Sequence, residues 1–390
     1  MTTERYDIVV IGAGVAGAAF AAHVAHPSRR VLLVERSQWP RPKVCGCCLN
    51  GAAVAPLQRL GLGDALYNAG IQLNRVRILA RSKTATLAVP SGIALSRLVL
   101  DELIVSRAIE SGAEFLPGVA ATITASKSAQ QWSVQLRTAH GVRTISANVV
   151  IAADGLCGSS LNGLDLFQPI VSPRAWFGVG GTLTGVTEES CGNGAISMHV
   201  ATHGYAGLVR LGSRTVNLAA AMNPDWTREV GGPAQAIAAI INEARGEGAS
   251  FDLGSAQLRG TGLLTRRRPI VSRPGLLVIG DASGYIEPFT GEGMAWALAG
   301  AEAAAGMVNA GLNASELATS WAHWHTSQLR SRQRTCTLIR ELLRRPRLVS
   351  GVLSAIGTIP AAAQVASAIV RRIERPYGRS AIARTQGAVA

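Results

Sequence analysis

Three short stretches of this 390-residue chain combine acidic side chains, glycines and strand or helix ends in ways that serve chemistry. Asp281 follows Gly280 and the apolar run Leu276 to Ile279, which reads as a buried strand. A carboxylate at such a strand end can accept hydrogen bonds from sugar-alcohol hydroxyls. Pro288 and the run Gly291, Glu292, Gly293, Met294 then lead into a long alanine-rich stretch expected to be a helix. A helix start offers unpaired N–H groups and a positive dipole end, which suit an anion or an electron-rich ring. Ala153-Asp154-Gly155 closes another apolar run; alone, it is a strand-ending turn.

Near the N-terminus, residues 6–35 give strand, glycine turn, helix and strand. The turn is Gly12, Ala13, Gly14, Val15, Ala16, Gly17, and the second strand ends at Glu35, followed by Arg36. Gly12 permits the tight turn, Gly14 lets backbone approach a pyrophosphate, and Gly17 allows close helix–strand packing. Glu35 stands where a carboxylate binds ribose hydroxyls and disfavours a 2′-phosphate. The spacing predicts a dinucleotide site, for NAD or FAD.

The remaining elements follow from pattern. Residues 40–51 form a loop containing Pro40, Lys43, Cys45, Gly46, Cys47 and Cys48. No second ligand pair completes a metal site there, so no metal is expected. Cys47 and Cys48 read as neighbouring thiols capable of redox chemistry, though a disulfide between them would be a strained ring, or equally as small loop residues. A helix over 52–70 ends near Gly61 or Gly63, strands follow over 74–96, and Arg97 begins a helix stopped by Gly112. A cation at a helix start opposes the dipole, which points to a bound anion, or else to an ordinary solvated arginine. Three strand-like runs between 119 and 153 form a meander, and residues 165–275 alternate as strands around a helix near Pro233–Arg245. His199 and His203 are read on one face of a strand without a carboxylate partner, and hence not as metal ligands.

Composition sets the limits. The chain is long enough for one or two interleaved domains. The start lacks a basic region with a long apolar run, so no secretory signal is expected. Six cysteines, unevenly spaced, do not make a disulfide framework, and a reducing cytoplasm is expected. Of the net +14, residues 329–390 supply +10 through twelve arginines against Glu341 and Glu374. The basicity belongs to a tail rather than to the body, and no aromatic-basic motif supports nucleic acid. An anionic membrane surface or an acidic carrier suits it better, with a peripheral membrane location. Residues 314–345 read as one helix. Residues 348–370 are uncharged but poor in strong spanning residues, with 349, 352, 353, 356 and 359 on one helical face.

Taken in order, GAGVAG with Glu35, the Ala-Asp-Gly at 153–155, and Gly-Asp with the GEG helix start at 280–294 resemble the FAD-dependent hydroxylase and geranylgeranyl reductase superfamily. The loop with Pro40, Lys43, Cys45 and Gly46 resembles the PxxKxCG loop of geranylgeranyl reductases and related flavoprotein dehydrogenases. The resemblance implies an α/β fold: a Rossmann-type FAD-binding domain (1–73, 97–164, 275–328) interleaved with an antiparallel-sheet substrate domain (74–96, 165–274), and a basic helical region over 329–390. It implies FAD held by Gly12, Ala13, Gly14, Ala16, Gly17, Glu35, Arg36, Lys43, Cys45, Gly46, Arg97, Asp154, Gly155, Gly280, Asp281, Pro288, Gly291, Glu292, Gly293 and Met294. Cys45 would face the reaction chamber. Tyr205 stands where reductases and halogenases carry an aromatic strand motif, of which the tryptophan and proline are missing here; a core tyrosine is the other reading. After Asp154 the hydroxylases' arginine is absent. The function implied is hydride transfer at the flavin N5 to or from a lipophilic, isoprenoid or polyketide-like substrate. The alternatives are an NAD(P)H-dependent flavin monooxygenase and a non-catalytic FAD- or lipid-binding adaptor. No second glycine fingerprint supplies a nicotinamide domain, so the electron donor, NAD(P)H or a protein, stays open.

Overall fold

A computed structural model describes residues 4–124, 131–184, 192–246, 253, 256–287, 289, 291–373, 375 and 377. Pro288, Cys191 and the tail beyond residue 377, with Arg379 and Arg384, lie outside the described residues.

The chain is mixed α/β. Val31–Glu35, Glu4–Ile11, Gly141–Ala152 and Leu276–Val278 lie side by side in parallel, with Glu114–Pro117 beyond Val31–Glu35. Their apolar runs are buried on both faces, as expected for a parallel sheet covered by helices. The helix Val15–Val24 has every residue but His23 buried, and the helix Gly293–Asn309 packs on it. Alanines and glycines on both let the two backbones approach closely. The meander of Ala120–Thr124, Trp132–Thr138 and Gly141–Ala152 joins the sheet through its last strand, which pairs antiparallel on one part and parallel on the other.

A second eight-stranded sheet runs Arg259–Leu263, Phe177–Thr184, Thr215–Met222, Gly204–Gly212, Ala195–Ala201, Ile71–Ala80, Lys83–Ala94, Cys48–Asn50. It is antiparallel except where Ala195–Ala201 lies parallel to Ile71–Ala80. The helix Pro233–Arg245 covers one face with Ile237, Ile240 and Ile241. The other face packs Ala80, Ala85, Met198 and Val200 against Val349 and Leu353 of the C-terminal region, and lines a cavity.

Three local expectations differ from the structure. The 52–70 segment is two helices, Gly51–Arg59 and Gly63–Ala69, because Gly61 takes φ +80°. His203 is not on the strand with His199: it lies in the turn before Gly204 and stacks on Trp226, while His199 is buried. Residues 314–343 are one continuous helical run, Ala314–Trp324 passing through a π-helical stretch at His325–Leu329 into Arg330–Leu343, whereas 348–370 is split into two helices, Pro346–Thr358 and Pro360–Ile373. Positions 349, 352, 353, 356 and 359 are therefore divided. Val349 and Leu353 are buried, whereas Val352 and Ile359 are exposed.

Candidate functional site

Gly12 takes φ +104°, and a methyl group there would stand 2.5 Å from Ala153 O, so the turn is pressed onto the strand end at 152–154. Its N–H donates to Val34 O, and the Ala13 N–H donates to Glu35 Oε2 at 3.2 Å. Gly14 caps the following helix with no side chain of its own. A methyl group on Gly14 would stand 3.6 Å from Arg41 Nη2, 3.7 Å from Lys43 Nζ and 3.8 Å from Arg97 Nη2. Three cations thus converge on a helix start whose N–H groups are unpaired, a site made for an anion. Burial, with Arg97 nearby, pulls the Lys43 ammonium below its ordinary pKa.

Two carboxylates hold these cations in place. Arg97 forks onto Asp101 one turn along its helix, and Arg41 bridges Asp101 Oδ2 and Glu35 Oε2, each at 3.1 Å. Arg97 and Asp101 are buried, so Arg97 is not a solvated helix-start arginine. Burial alone would weaken its charge, but Asp101 and the Cys45 sulfur outweigh that and keep the guanidinium protonated.

The cysteine loop crosses from this groove to the second sheet. The Cys47 N–H donates to Cys45 Sγ at 3.4 Å, and Cys47 is a non-glycine residue at φ +56°. Cys47 Sγ donates to Asn217 Oδ1 at 3.3 Å, and Asn217 Nδ2 donates to Cys45 O at 2.9 Å, which ties the loop to the strand Thr215–Met222. The Cys47 thiol, then the Arg97 guanidinium, bring the Cys45 thiol down to about 6, against the opposing effect of burial. The Cys47 thiol is pushed up by its neighbour Cys45 and by burial. Cys45 is therefore an ionisable thiol poised near neutrality.

Asp154 accepts from Ser160 N–H at 2.7 Å through Oδ2, while its Oδ1 is buried without a hydrogen-bond partner. Burial raises its pKa. Asn50 Nδ2 is a second buried polar atom without a partner. An unmatched acceptor and an unmatched donor in one groove wall fit a hydroxyl-bearing ligand. Gly280 takes φ +61° and touches Ala16, which seats the Asp281 turn against the first helix.

Two cavities meet at these residues. The smaller, about 200 Å³, is lined by Gly12, Glu35, Arg36, Arg41, Ala121 and Ser159. The larger, about 810 Å³, carries Cys45, Gly46, Asp281, Gly291, Gly293 and Met294 at one end. Beyond them its wall is apolar, with Val76, Ile78, Leu87, Val89, Met198 and Leu264. Gly14, Lys43, Asp154 and Gly155 line both. Tyr205 lies in the larger wall, edge-on to Phe289 at 5.3 Å, and burial holds its phenol well above the ordinary value. Glu292 turns away: its Oε2 accepts from Cys336 Sγ at 2.9 Å and its Oε1 faces Arg332 at 3.7 Å. Arg41, Asp101 and Asn217 carry no motif in the sequence; only the fold brings them here.

The family model described as FAD binding domain matches residues 5–315. Menaquinone reductase of Mycolicibacterium smegmatis is 26% identical, over 94% of this chain and 88% of its own length. Digeranylgeranylglycerophospholipid reductase 2 of Methanothermobacter thermautotrophicus is 28% identical, over 74% of each chain. Among solved structures, the flavin-dependent brominase Bmp2 superposes with TM-score 0.78 at 17% identity, covering 99% of this chain and 98% of its own. PqsL of P. aeruginosa, in complex with 2-aminobenzoylacetate, gives 0.70 at 17% identity over 90% and 100%. At such identity these two likenesses speak for the fold alone.

Proposed function

The chain belongs to the FAD binding domain family, and we propose that it is an FAD-dependent oxidoreductase that reduces a carbon–carbon double bond in a lipophilic substrate, an isoprenoid or polyketide-like chain. The observation that carries this reading is the larger cavity, which runs from Cys45 along an apolar sheet face. The names of the two reductase relatives favour reduction over oxygenation.

The residues present fit FAD. Glu35 and the smaller cavity would hold the adenosine end. Arg41, Lys43, Arg97 and the start of the helix Val15–Val24 would hold the diphosphate. Asp154, with its unmatched Oδ1, and Asp281 would take the ribityl hydroxyls, and the backbone of Gly291–Met294 the ring. When bound, FAD supplies the hydride equivalent.

The protein supplies the proton and excludes water. As the double bond opens, one carbon takes the hydride and the other a proton. Cys45 Sγ, with a pKa of about 6, can give that proton, and Arg97 and the Cys47 N–H stabilise the thiolate left behind. Tyr205 keeps its proton and serves as cavity wall. The electron donor that restores reduced cofactor is NAD(P)H or a partner protein.

The test is mass spectrometry of products from FAD-loaded protein given reductant and a panel of polyprenyl and polyketide-like substrates. The reading expects a gain of two hydrogens without oxygen consumption. A gain of one oxygen with oxygen uptake would make the chain a monooxygenase. Bound FAD with neither product across the panel would favour the adaptor.

A further inference from the structure

The larger cavity ends at the C-terminal helices. Ile339 and Leu342 of Arg330–Leu343, and Ala366, Ile369 and Val370 of Pro360–Ile373, line it. Leu342 and Ile369 are also 38% and 47% exposed, so they mark its mouth. Around that mouth the surface is unusually apolar: Leu338, Leu348, Val352, Ile359 and Val365 are exposed as well, at 44% or more. Those five and the two mouth residues make up half of the exposed large apolar side chains among the described residues. The helix Pro360–Ile373 has no buried residue among those whose side chains are described, although most of it is alanine, valine and isoleucine. One side of this helix is half-buried, and its Val365 and Ile369 stay exposed, an apolar surface with nothing over it in the isolated chain.

The charge says what the partner is. Arg345, Arg347, Arg371, Arg372 and Arg375 are exposed, and no aspartate or glutamate occurs between residues 342 and 373. Among the described residues no single helix is long and apolar enough to cross a membrane, and the pair Pro346–Thr358 and Pro360–Arg372 is bent by 112°. Apolar side chains flanked by arginines on short, sharply angled helices suit the headgroup–acyl boundary of an anionic bilayer.

We infer that the helices Pro346–Thr358 and Pro360–Ile373 seat the protein on an anionic phospholipid surface and set the cavity mouth, between Leu342 and Ile369, against the acyl layer. A lipophilic substrate would then enter without crossing water. The surface contact stands by itself; the route of entry rests on the function proposed above.

The test is co-sedimentation of the full chain, loaded with FAD, with vesicles of phosphatidylcholine alone or of phosphatidylcholine with phosphatidylglycerol. Binding is expected to the anionic vesicles and to weaken in high salt. Each neutralisation among Arg345→Gln, Arg347→Gln and Arg371→Gln should weaken it roughly fivefold. The triple variant Leu348→Gln, Val352→Gln, Val365→Gln touches neither cavity nor cofactor groove. It should lose vesicle binding while keeping its flavin absorbance, its melting temperature and its turnover of detergent-dispersed substrate. No binding to anionic vesicles would overturn the inference. So would binding that the glutamine variant retains, since that is charge attraction alone, of the kind an acidic carrier protein would share. A dimer in light scattering that the glutamine variant dissociates, without vesicle binding, would assign the face to a second copy of the chain. Only the turnover readout rests on the function proposed above; vesicle binding, flavin absorbance and melting temperature do not.

Discussion

Arg97 is clamped by Asp101, with Nε 2.8 Å from Oδ1 and Nη2 2.9 Å from Oδ2, inside the protein and beside the start of the helix Val15–Val24. Asp101 also holds Arg41. Replacing it by alanine leaves two guanidinium groups without their shared counter-ion, a loss of about 3–5 kcal/mol for a buried pair. Asp101→Ala should melt well below the parent when stripped of FAD. Saturating FAD should restore more of its stability than it adds to the parent, because the diphosphate replaces the missing charge. Thermal melts of the four states check this.

Gly14 separates folding from binding. A methyl group there meets only ordinary contacts, 3.6 Å and beyond, so Gly14→Ala should fold with stability within about 0.5 kcal/mol of the parent. The same methyl occupies the space in which backbone approaches a pyrophosphate. FAD affinity should fall about tenfold or more, read by flavin fluorescence titration. Gly12→Ala should instead fail to fold normally, since its methyl would press on Ala153 O at 2.5 Å.

Cys45 gives the pH dependence. With a pKa near 6, its rate of alkylation by iodoacetamide should rise to a plateau with a midpoint near that pH, where an ordinary cysteine would titrate near 9.0. If the thiol is the proton donor, turnover should fall as pH rises through 6. Stability moves the other way. A depressed pKa contributes stability in full above the unfolded value and loses it as pH falls through the folded one, so the native state should weaken between about pH 9 and 6. Asn217→Leu, which unties the loop from the second sheet, should cost about 1–3 kcal/mol, read as a lower melting temperature.

Glu287 anchors the C-terminal helices. Its buried carboxylate lies 3.1 Å from Arg344 and 3.9 Å from Arg340, and burial raises its pKa against the pull of those arginines. Arg344 also lies 4.4 Å over the Trp176 ring. Glu287→Ala should free the segment around Arg344–Arg347 for cleavage by trypsin while the glycine-turn sheet stays protected. A time course of limited proteolysis, with fragment masses, checks it.

The sequence reveals those parts of the molecule whose reasons are local. GAGVAG works within a few residues of itself, and the helix Pro233–Arg245 is bounded by its own proline and glycine. Asp154 and Asp281 each end an apolar run, and the folded chain brings both to the wall of one cavity. What stays hidden depends on distant pairing. Asp101 looks like one more charge on an amphipathic helix until Arg41, sixty residues back, folds onto it. Asn217 is an ordinary strand residue until the cysteine loop crosses 170 positions to reach it. Glu292 fits a helix-start motif, yet its carboxylate answers to Cys336 and Arg332 on a helix that the motif does not include.

Lys43, Gly14, Asp154 and Gly155 belong to the walls of both cavities. A molecule long enough to fill the two chambers is gripped at either end, and the second grip forms at the high local concentration that its own tether provides. On the cofactor placement proposed above, AMP and FMN would each fill one chamber and forgo that advantage. Their separate affinities should fall far short of the intact dinucleotide's, so this groove discriminates by length as well as by chemistry.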